Sequence, residues 1–249
     1  MRGVQVSVDQ SERFKQTLAE IRRRWGSDAL RPLSAVKVAS SHIPTGFLAV
    51  DALLGGGIPC GQTVELCGTP TSGITTLALK IMAEAQAQGR LVVYVDLARV
   101  FDPGYAARCG VRMDGLLIAR PEAASDGLDI LTVVATEGGA ALAVLDSTAE
   151  VLADLHGTTR LRSAMRKLTP ALRRSGCTAL FLSPGVSSQA LTHQAGLRLA
   201  VENTGWIERE RDIAGLHARV VVIRNIRGRA DQQTDVEIPL NDFARGDAA

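Results

Sequence analysis

One glycine-rich turn carries the strongest chemical signal in the chain: Gly68-Thr69-Pro70-Thr71-Ser72-Gly73-Ile74-Thr75-Thr76. A strand is expected before it and a helix after it. In that setting two glycines with four residues between them let backbone N–H groups curl around an anion, and the helix dipole favours negative charge. The turn reads as a phosphate-binding loop, with Gly68, Ser72, Gly73, Thr75 and Thr76 at the nucleotide and the Thr75 hydroxyl placed for magnesium. The charged position departs from the pattern. Ile74 stands where a lysine would neutralise the β- and γ-phosphates. Lys80 lies six residues on, ~9 Å along a helix, and cannot take its place. ATP with magnesium is the implied ligand, and hydrolysis is not expected.

The second signal is electrostatic. No acidic residue occurs between Asp154 and Glu202, a stretch of 47 residues holding Arg160, Arg162, Arg166, Lys167, Arg173, Arg174 and Arg198. In the predicted helix 159–175, Leu161, Met165, Leu168 and Leu172 form a buried stripe, and Arg160, Lys167 and Arg174 share another face. Arg160, Arg166, Lys167, Arg173 and Arg174 form a candidate patch for DNA or an acidic partner; a plain solvated face is the competing explanation. Aromatic residues are only 4% of the chain, so DNA contact would be backbone-led and not sequence-specific. The four histidines have no metal spacing, and the serines near 183–188 have no His/Asp partners for nucleophilic catalysis.

Alternating strands and helices must position these groups. Thr63–Cys67 reads as a strand, Thr75–Gln88 as a helix, Leu91–Asp96 as a strand, and Asp102-Pro103 as the capped start of a short helix ended by Gly110. Leu116–Ile118, Ala140–Leu145 and Cys177–Leu182 read as strands. Asp126–Glu137 and 159–175 read as helices, with Pro170 a point where the second can break. Trp206–Arg211, Ala218–Arg224 and Thr234–Ile238 follow as consecutive strands. The pattern predicts an α/β fold: a mostly parallel sheet with helices on both faces and an antiparallel C-terminal edge. Near the start, Phe14, Leu18, Ile21 and Trp25 make one helical stripe after an Asp9/Glu12 capping pair. It serves either as a helix packed on its own domain or as an arm that docks on a neighbouring subunit. The expected organisation is an arm over 1–32, a core over 33–242 and a frayed tail over 243–249.

Composition bounds the rest. The 249 residues are 46% hydrophobic and 22% charged, with a net charge of +2. That is enough apolar matter for a sizeable core and argues against wholesale disorder. Four cysteines without CxxC spacing suggest reduced thiols in a cytoplasmic protein, not a zinc site. No signal-peptide pattern opens the chain, and no apolar run approaches the ~18 residues of a membrane span.

Combined, the motifs are specific. Ile43-Pro44-Thr45-Gly46-Phe47, Gly55-Gly56-Gly57-Ile58-Pro59, Glu65 with the loop, Tyr94-Val95-Asp96, Asp102-Pro103-Gly104-Tyr105-Ala106, Ala143-Val144-Leu145-Asp146-Ser147, Ala164-Met165-Arg166-Lys167-Leu168 and Val222-Ile223-Arg224-Asn225 resemble the RecA recombinase family. The likeness covers roughly residues 10–240. It implies a RecA-like phosphate-loop core, adenine contacts at Asp102 and Tyr105, a magnesium-orienting carboxylate at Asp146, and oligomerisation through Phe14, Leu18, Ile21 and Trp25. The family's catalytic glutamate is replaced by Ala98, its polar sensor falls at Ser183-Pro184-Gly185, and its DNA-facing loops and C-terminal domain are expected to be trimmed or absent.

These departures imply a non-hydrolysing accessory protein of DNA repair, recombination or SOS damage tolerance and mutagenesis. It would dock on RecA filaments or on its own kind, bind DNA directly or not, and have a translesion polymerase as a further partner; nucleoid association would follow. Two alternatives stand beside it. One is a DNA-dependent ATPase rescued in trans by Arg224 or Arg227. The other is an interaction module that binds neither nucleotide nor DNA.

Overall fold

The computed structural model describes residues 16, 19–20, 23–24, 42–185, 189–209 and 212–240. The chain divides into Met1–Ser40 and Ser41–Ala249. In the first unit the described positions are helical, and Glu20 pairs with Arg23 at 2.9 Å, one turn apart. Phe14, Leu18, Ile21 and Trp25 lie outside the described residues.

The second unit opens with strand β1 (His42–Ile43), helix α1 (Leu48–Leu54) and strand β2 (Ile58–Pro59), which pairs with β1. Strand β3 (Thr63–Gly68) leads into helix α2 (Ile74–Ala87) and strand β4 (Leu91–Asp96). Helix α3 (Pro103–Arg108), strand β5 (Leu116–Ala119), helix α4 (Ala124–Glu137) and strand β6 (Ala140–Asp146) follow. Next come helices α5 (Thr148–Ala153) and α6 (Gly157–Ser175), strand β7 (Thr178–Pro184) and helix α7 (Gln189–Gln194). The last described elements are strands β8 (Leu197–Arg209), β9 (Asp212–Asn225) and β10 (Gln233–Pro239).

Strands β3 to β10 form an eight-stranded sheet in the order β10-β9-β8-β3-β7-β6-β4-β5. Pairs from β8 to β5 are parallel, and β8–β9–β10 is an antiparallel wing. The expected α/β architecture is therefore present. Period-two alternation builds both faces. Leu142 and Val144 of β6 join Leu77, Ile81 and Met82 of α2 on one side. Ala143 and Leu145 join Leu131 of α4 and Leu161, Met165 and Leu168 of α6 on the other. Each large side chain buried this way stabilises the fold by about 1.5–3 kcal/mol.

Two local expectations need correction. Pro170 does not break α6, which runs unbroken to Ser175. Pro170 is exposed on that helix, so the carbonyl it leaves unbonded can turn to water. The strand expected to begin at Trp206 begins at Leu197. Its first half is a buried partner of β3, where residues of both alternations are covered and no polar face marks a strand. The stretch between Asp146 and Thr159 is mostly helical, because Ser147 caps α5 by accepting the Ala149 N–H at 3.2 Å.

Arg198 also departs from the basic segment assigned to it, since it points inward and is 6% exposed. Its Nε donates to Glu65 Oε2 at 2.6 Å. Ser183 Oγ donates to Glu65 Oε1 at 2.8 Å, and Thr148 Oγ1 donates to Ser183 Oγ at 2.9 Å. Strands β3, β7 and β8 and the start of α5 are thereby joined by one buried polar chain. A charge left alone there is costly. Arg198→Met should lower stability by about 3–5 kcal/mol, whereas the double change with Glu65→Leu should recover much of that loss. Urea unfolding followed by circular dichroism measures both.

Among the described residues no helix is long and apolar enough to cross a membrane.

Candidate functional site

The glycine loop bridges β3 and α2, and its glycines are required by space. A Cβ on Gly68 would collide with Ser72 Oγ and the Val201 carbonyl. Gly73 has φ +97°, and a Cβ there would sit 2.5 Å from Ile238 Cδ1. The Ser72 N–H closes the turn on Thr69 O at 3.1 Å. The first N–H groups of α2 have no partner within the helix. Ser72 Oγ is fully buried and has no hydrogen-bond partner among the described residues.

Ile74 occupies the lysine position and is only 6% exposed. Its side chain belongs to the core cluster with Leu77 and Leu216, lies with Cγ2 against Gly68 and also lines the cavity at the loop. A cavity of about 360 Å³ opens here, with the loop on one side and Trp206, Leu216 and Leu240 on the other. Sheet register builds that wall. Trp206 of β8 pairs with Leu216 of β9, and Leu216 pairs with Ile238 of β10. Same-face neighbours across an antiparallel wing are thus laid against Gly73. Trp206, Leu216 and Leu240 were not expected as site residues. Alternation marks their face of the strand but gives no sign of which loop it meets.

A second cavity of about 460 Å³ shares Thr75 and Pro184 with the first. It brings Asp102, Tyr105 and Asp146 together, with Tyr94, Ala98 and Glu150. Asp146 ends β6, and its Oδ2 accepts the Tyr94 hydroxyl at 2.6 Å. Burial raises the Asp146 carboxyl above its ordinary pKa, the Tyr94 hydrogen bond opposes this, and neighbouring Asp96 adds to the rise. Tyr94 is pushed up by burial and by Asp146, so its phenol keeps the proton it donates. Asp96 is spent on structure: it accepts Val100 N at 3.0 Å and Arg120 Nε at 2.9 Å. Asp102 caps α3 by accepting the Tyr105 N–H at 2.9 Å. The Tyr105 hydroxyl lies 2.5 Å from Thr76 Oγ1, and the Arg108 guanidinium sits 5.4 Å from its ring centre.

Thus Ser72, Gly73, Thr75 and Thr76 line the first cavity, and Asp102, Tyr105 and Asp146 line the second with Thr75. Gly68 lies against Ser72 at the foot of the loop. Among the described residues neither lining contains a lysine or an arginine. Arg224 Nη1 donates to Thr192 O at 2.9 Å and Arg227 Nη1 to Cys60 O at 3.4 Å, so both guanidiniums are engaged within their own chain.

Arg160, Arg162, Arg166, Lys167, Arg173 and Arg174 are exposed along α6, opposite the buried Leu161–Met165–Leu168–Leu172 stripe. Arg160 is paired with Asp154, which reduces its free charge. Arg160 and Lys167 line a polar cleft of about 340 Å³ against Ser125 and Asp129 of α4.

The family model described as "RecA N-terminal domain" matches residues 12–243. Protein RecA of Herpetosiphon aurantiacus is 31% identical over 95% of this chain and 74% of its own length. Protein RecA of Brucella anthropi is 32% identical over 93% of this chain and 72% of its own length. For Protein RecA of Gluconobacter oxydans the figures are 32%, 93% and 75%. A match over residues 12–243, through the last strand of the antiparallel wing, places the chain in the RecA family.

Proposed function

We propose that this RecA-family chain is a non-hydrolysing accessory protein of DNA repair, recombination or SOS damage tolerance, acting by docking on RecA filaments, on DNA, or on both. The loop of Gly68, Ser72, Gly73, Thr75 and Thr76 would hold an anion without cutting it. One observation carries this: the loop and the strand-end carboxylate Asp146 are retained, yet among the described residues neither adjoining cavity is lined by a lysine or an arginine.

The physical reason lies in where charge develops. Phosphoryl transfer needs positive charge on the phosphate oxygens and a group that orients the attacking water. Ile74 supplies neither and is packed inward. Ala98 has no proton acceptor, and Ser183-Pro184-Gly185, where the resemblance places a polar sensor, carries no glutamine. Removing one preorganised donor from such a site costs about 3–4 kcal/mol of transition-state stabilisation, and three positions are altered here. Asp146 accepts the Tyr94 hydroxyl on Oδ2, so part of its acceptor capacity is spent within the fold. Docking would then be the activity: a subunit that does not turn over nucleotide lacks a hydrolytic trigger for leaving an assembly.

Three measurements test the proposal. With magnesium, ATP and single-stranded DNA, the purified protein should release phosphate no faster than its Asp146→Ala variant; metal-dependent turnover abolished by that change would overturn it. RecA should co-purify with the chain, and Phe14→Asp with Leu18→Asp should abolish the association; undiminished capture would remove the arm from the docking surface. If the basic face of α6 meets DNA, Lys167→Ala, Arg173→Ala and Arg174→Ala should weaken binding equally across sequences. Each lost phosphate contact should lower the slope of log affinity against log salt by about 0.7 on single strands. Unchanged affinity and slope would return the patch to a solvated face.

A further inference from the structure

Cys60, Cys67, Cys109 and Cys177 are all free thiols, and their surroundings differ. Burial, and then Glu65, raise the Cys67 thiol above its ordinary pKa, and its sulfur donates to Leu199 O at 3.5 Å. Cys109 is fully buried, and burial raises it too. Cys60 keeps 9% exposure, and a guanidinium nitrogen, Arg90 Nη1, donates to its Sγ at 3.2 Å. A second guanidinium reaches the same residue, since Arg227 Nη1 donates to Cys60 O at 3.4 Å. Arg90 is half-buried and Arg227 exposed, so the sulfur sits just beneath a basic patch of surface. Reactive thiols occupy partly open positions beside cationic side chains, whereas inert structural thiols lie in apolar ones. Of the four, Cys60 is the one in such a setting.

Its spatial neighbour is Cys177. Cys60 lies in the turn from β2 into β3, and Cys177 joins the end of α6 to β7. Strands β3 and β7 are adjacent and parallel, with Thr63 opposite Ala179, so both cysteines stand at the same end of the sheet. That end is opposite the glycine loop, and among the described residues neither cavity at the loop is lined by a cysteine. On one flank of the pair Thr178 Oγ1 donates to Pro59 O at 3.4 Å. On the other, a Cβ on Gly61 would lie 3.8 Å from Gly176 Cα. The residues on either side of Cys60 therefore touch the residues on either side of Cys177. Cys60 also acts on its neighbour electrically: the fully buried Cys177 thiol is pushed up to about 12, first by burial and then by Cys60. In the reduced protein the side chains rest on different faces, Cys60 in the core beside α2 and Cys177 in the core beside α6. They meet only after turning about their Cα–Cβ bonds, at the edge where the two segments touch.

We propose that Cys60 and Cys177 are a peroxide-reactive pair, in which Cys60 takes the oxidant and Cys177 closes an intrachain disulfide. Exposure assigns the roles: hydrogen peroxide reaches Cys60 beside Arg90 before it reaches the fully buried Cys177. In the first step the deprotonated Cys60 sulfur attacks hydrogen peroxide. An S–O bond forms as the O–O bond breaks, and the departing hydroxide takes up the proton that the thiol gave, leaving as water. Sulfur is oxidised by two electrons to a sulfenic acid, and the peroxide is reduced. Arg90 pairs with the charge on the attacking sulfur. In the second step the Cys177 sulfur attacks the Cys60 sulfur. The S–S bond forms as the S–O bond breaks, and the hydroxyl leaves as water with the Cys177 proton. Two thiols and one peroxide thus give one disulfide and two waters. The bond would tie the entrance of β3 to that of β7, and a thiol reductant would reverse it.

The reduced full chain is treated with hydrogen peroxide, quenched, and digested without reductant for mass spectrometry. The first product should be a linked pair of peptides containing Cys60 and Cys177, two hydrogens lighter than the reduced peptides and restored by dithiothreitol. Cys177→Ser should leave a Cys60 sulfenic acid that dimedone captures, and Cys60→Ser should abolish both products. Arg90→Gln should slow oxidation of Cys60 about tenfold, and Arg90→Lys, which keeps the charge, should restore most of the rate. The peptide map of the unaltered chain decides the matter whether or not the variants fold. Oxidation of Cys67 or Cys109 ahead of Cys60, a Cys60 sulfenic acid that never links to Cys177, disulfides only between chains, or equal rates in the unaltered chain and Arg90→Gln would each overturn the proposal. RecA capture, DNA binding and phosphate release do not enter this readout, so the pair and the accessory function stand or fall separately.

Discussion

The close contact between the glycine loop and the antiparallel wing is the constraint on which the rest depends. Gly68 is wedged between Ser72 and the Val201 carbonyl, and Gly73 lies under Ile238. Only hydrogen fits at Gly68, and the positive φ of Gly73 favours glycine there. Because the backbone comes this near, the side chains of β8 and β9 become the wall of the site. For the same reason Ile74 has an apolar pocket to fill, so the position that would carry charge in a phosphate loop contributes to the core instead. The contact thus sets the shape of the site and the packing of Ile74 beside it.

Beneath the loop, the buried Glu65–Arg198 pair and its extension through Ser183 to Thr148 hold β3, β7 and β8 together. Their C-terminal ends carry the loop and Pro184, and the wing continues from β8. A buried ion pair adds little net stability over apolar packing, but it tolerates few alternative registers, because any slip strands a charge in the interior. Here that specificity falls on the strands that must meet at the site. Asp146 and Asp96 illustrate the same economy at the neighbouring strand ends. They face each other in register; one is held by a tyrosine hydroxyl, the other by an arginine and backbone N–H groups.

Much of this was legible residue by residue. The phosphate-loop spacing, the strand before it and the helix after it follow from glycine placement and apolar patterning. The stripe of α6 follows from its 3.6-residue period, and the Asp102-Pro103 start of α3 from capping chemistry. Where the reading failed, burial on two sides had erased the periodic signal, as in the first half of β8. At Pro170 an exposed helix position tolerated what an interior one would not. Arg198 looked like surface charge because nothing local announced that Glu65, 133 positions away, would meet it.

The sequence alone determined that the loop has no lysine, that Ala98 supplies no base and that a long stretch of α6 lacks acidic residues; these are matters of composition and spacing, fixed before folding. Only the tertiary structure decided that Ile74 turns inward, that Trp206, Leu216 and Leu240 face the loop, that Tyr94 engages Asp146 and that the two cavities differ in charge. Periodicity assigns a residue to a face of its own element. Which element that face meets is settled by pairing between strands far apart in the chain, through contacts that have no local signature.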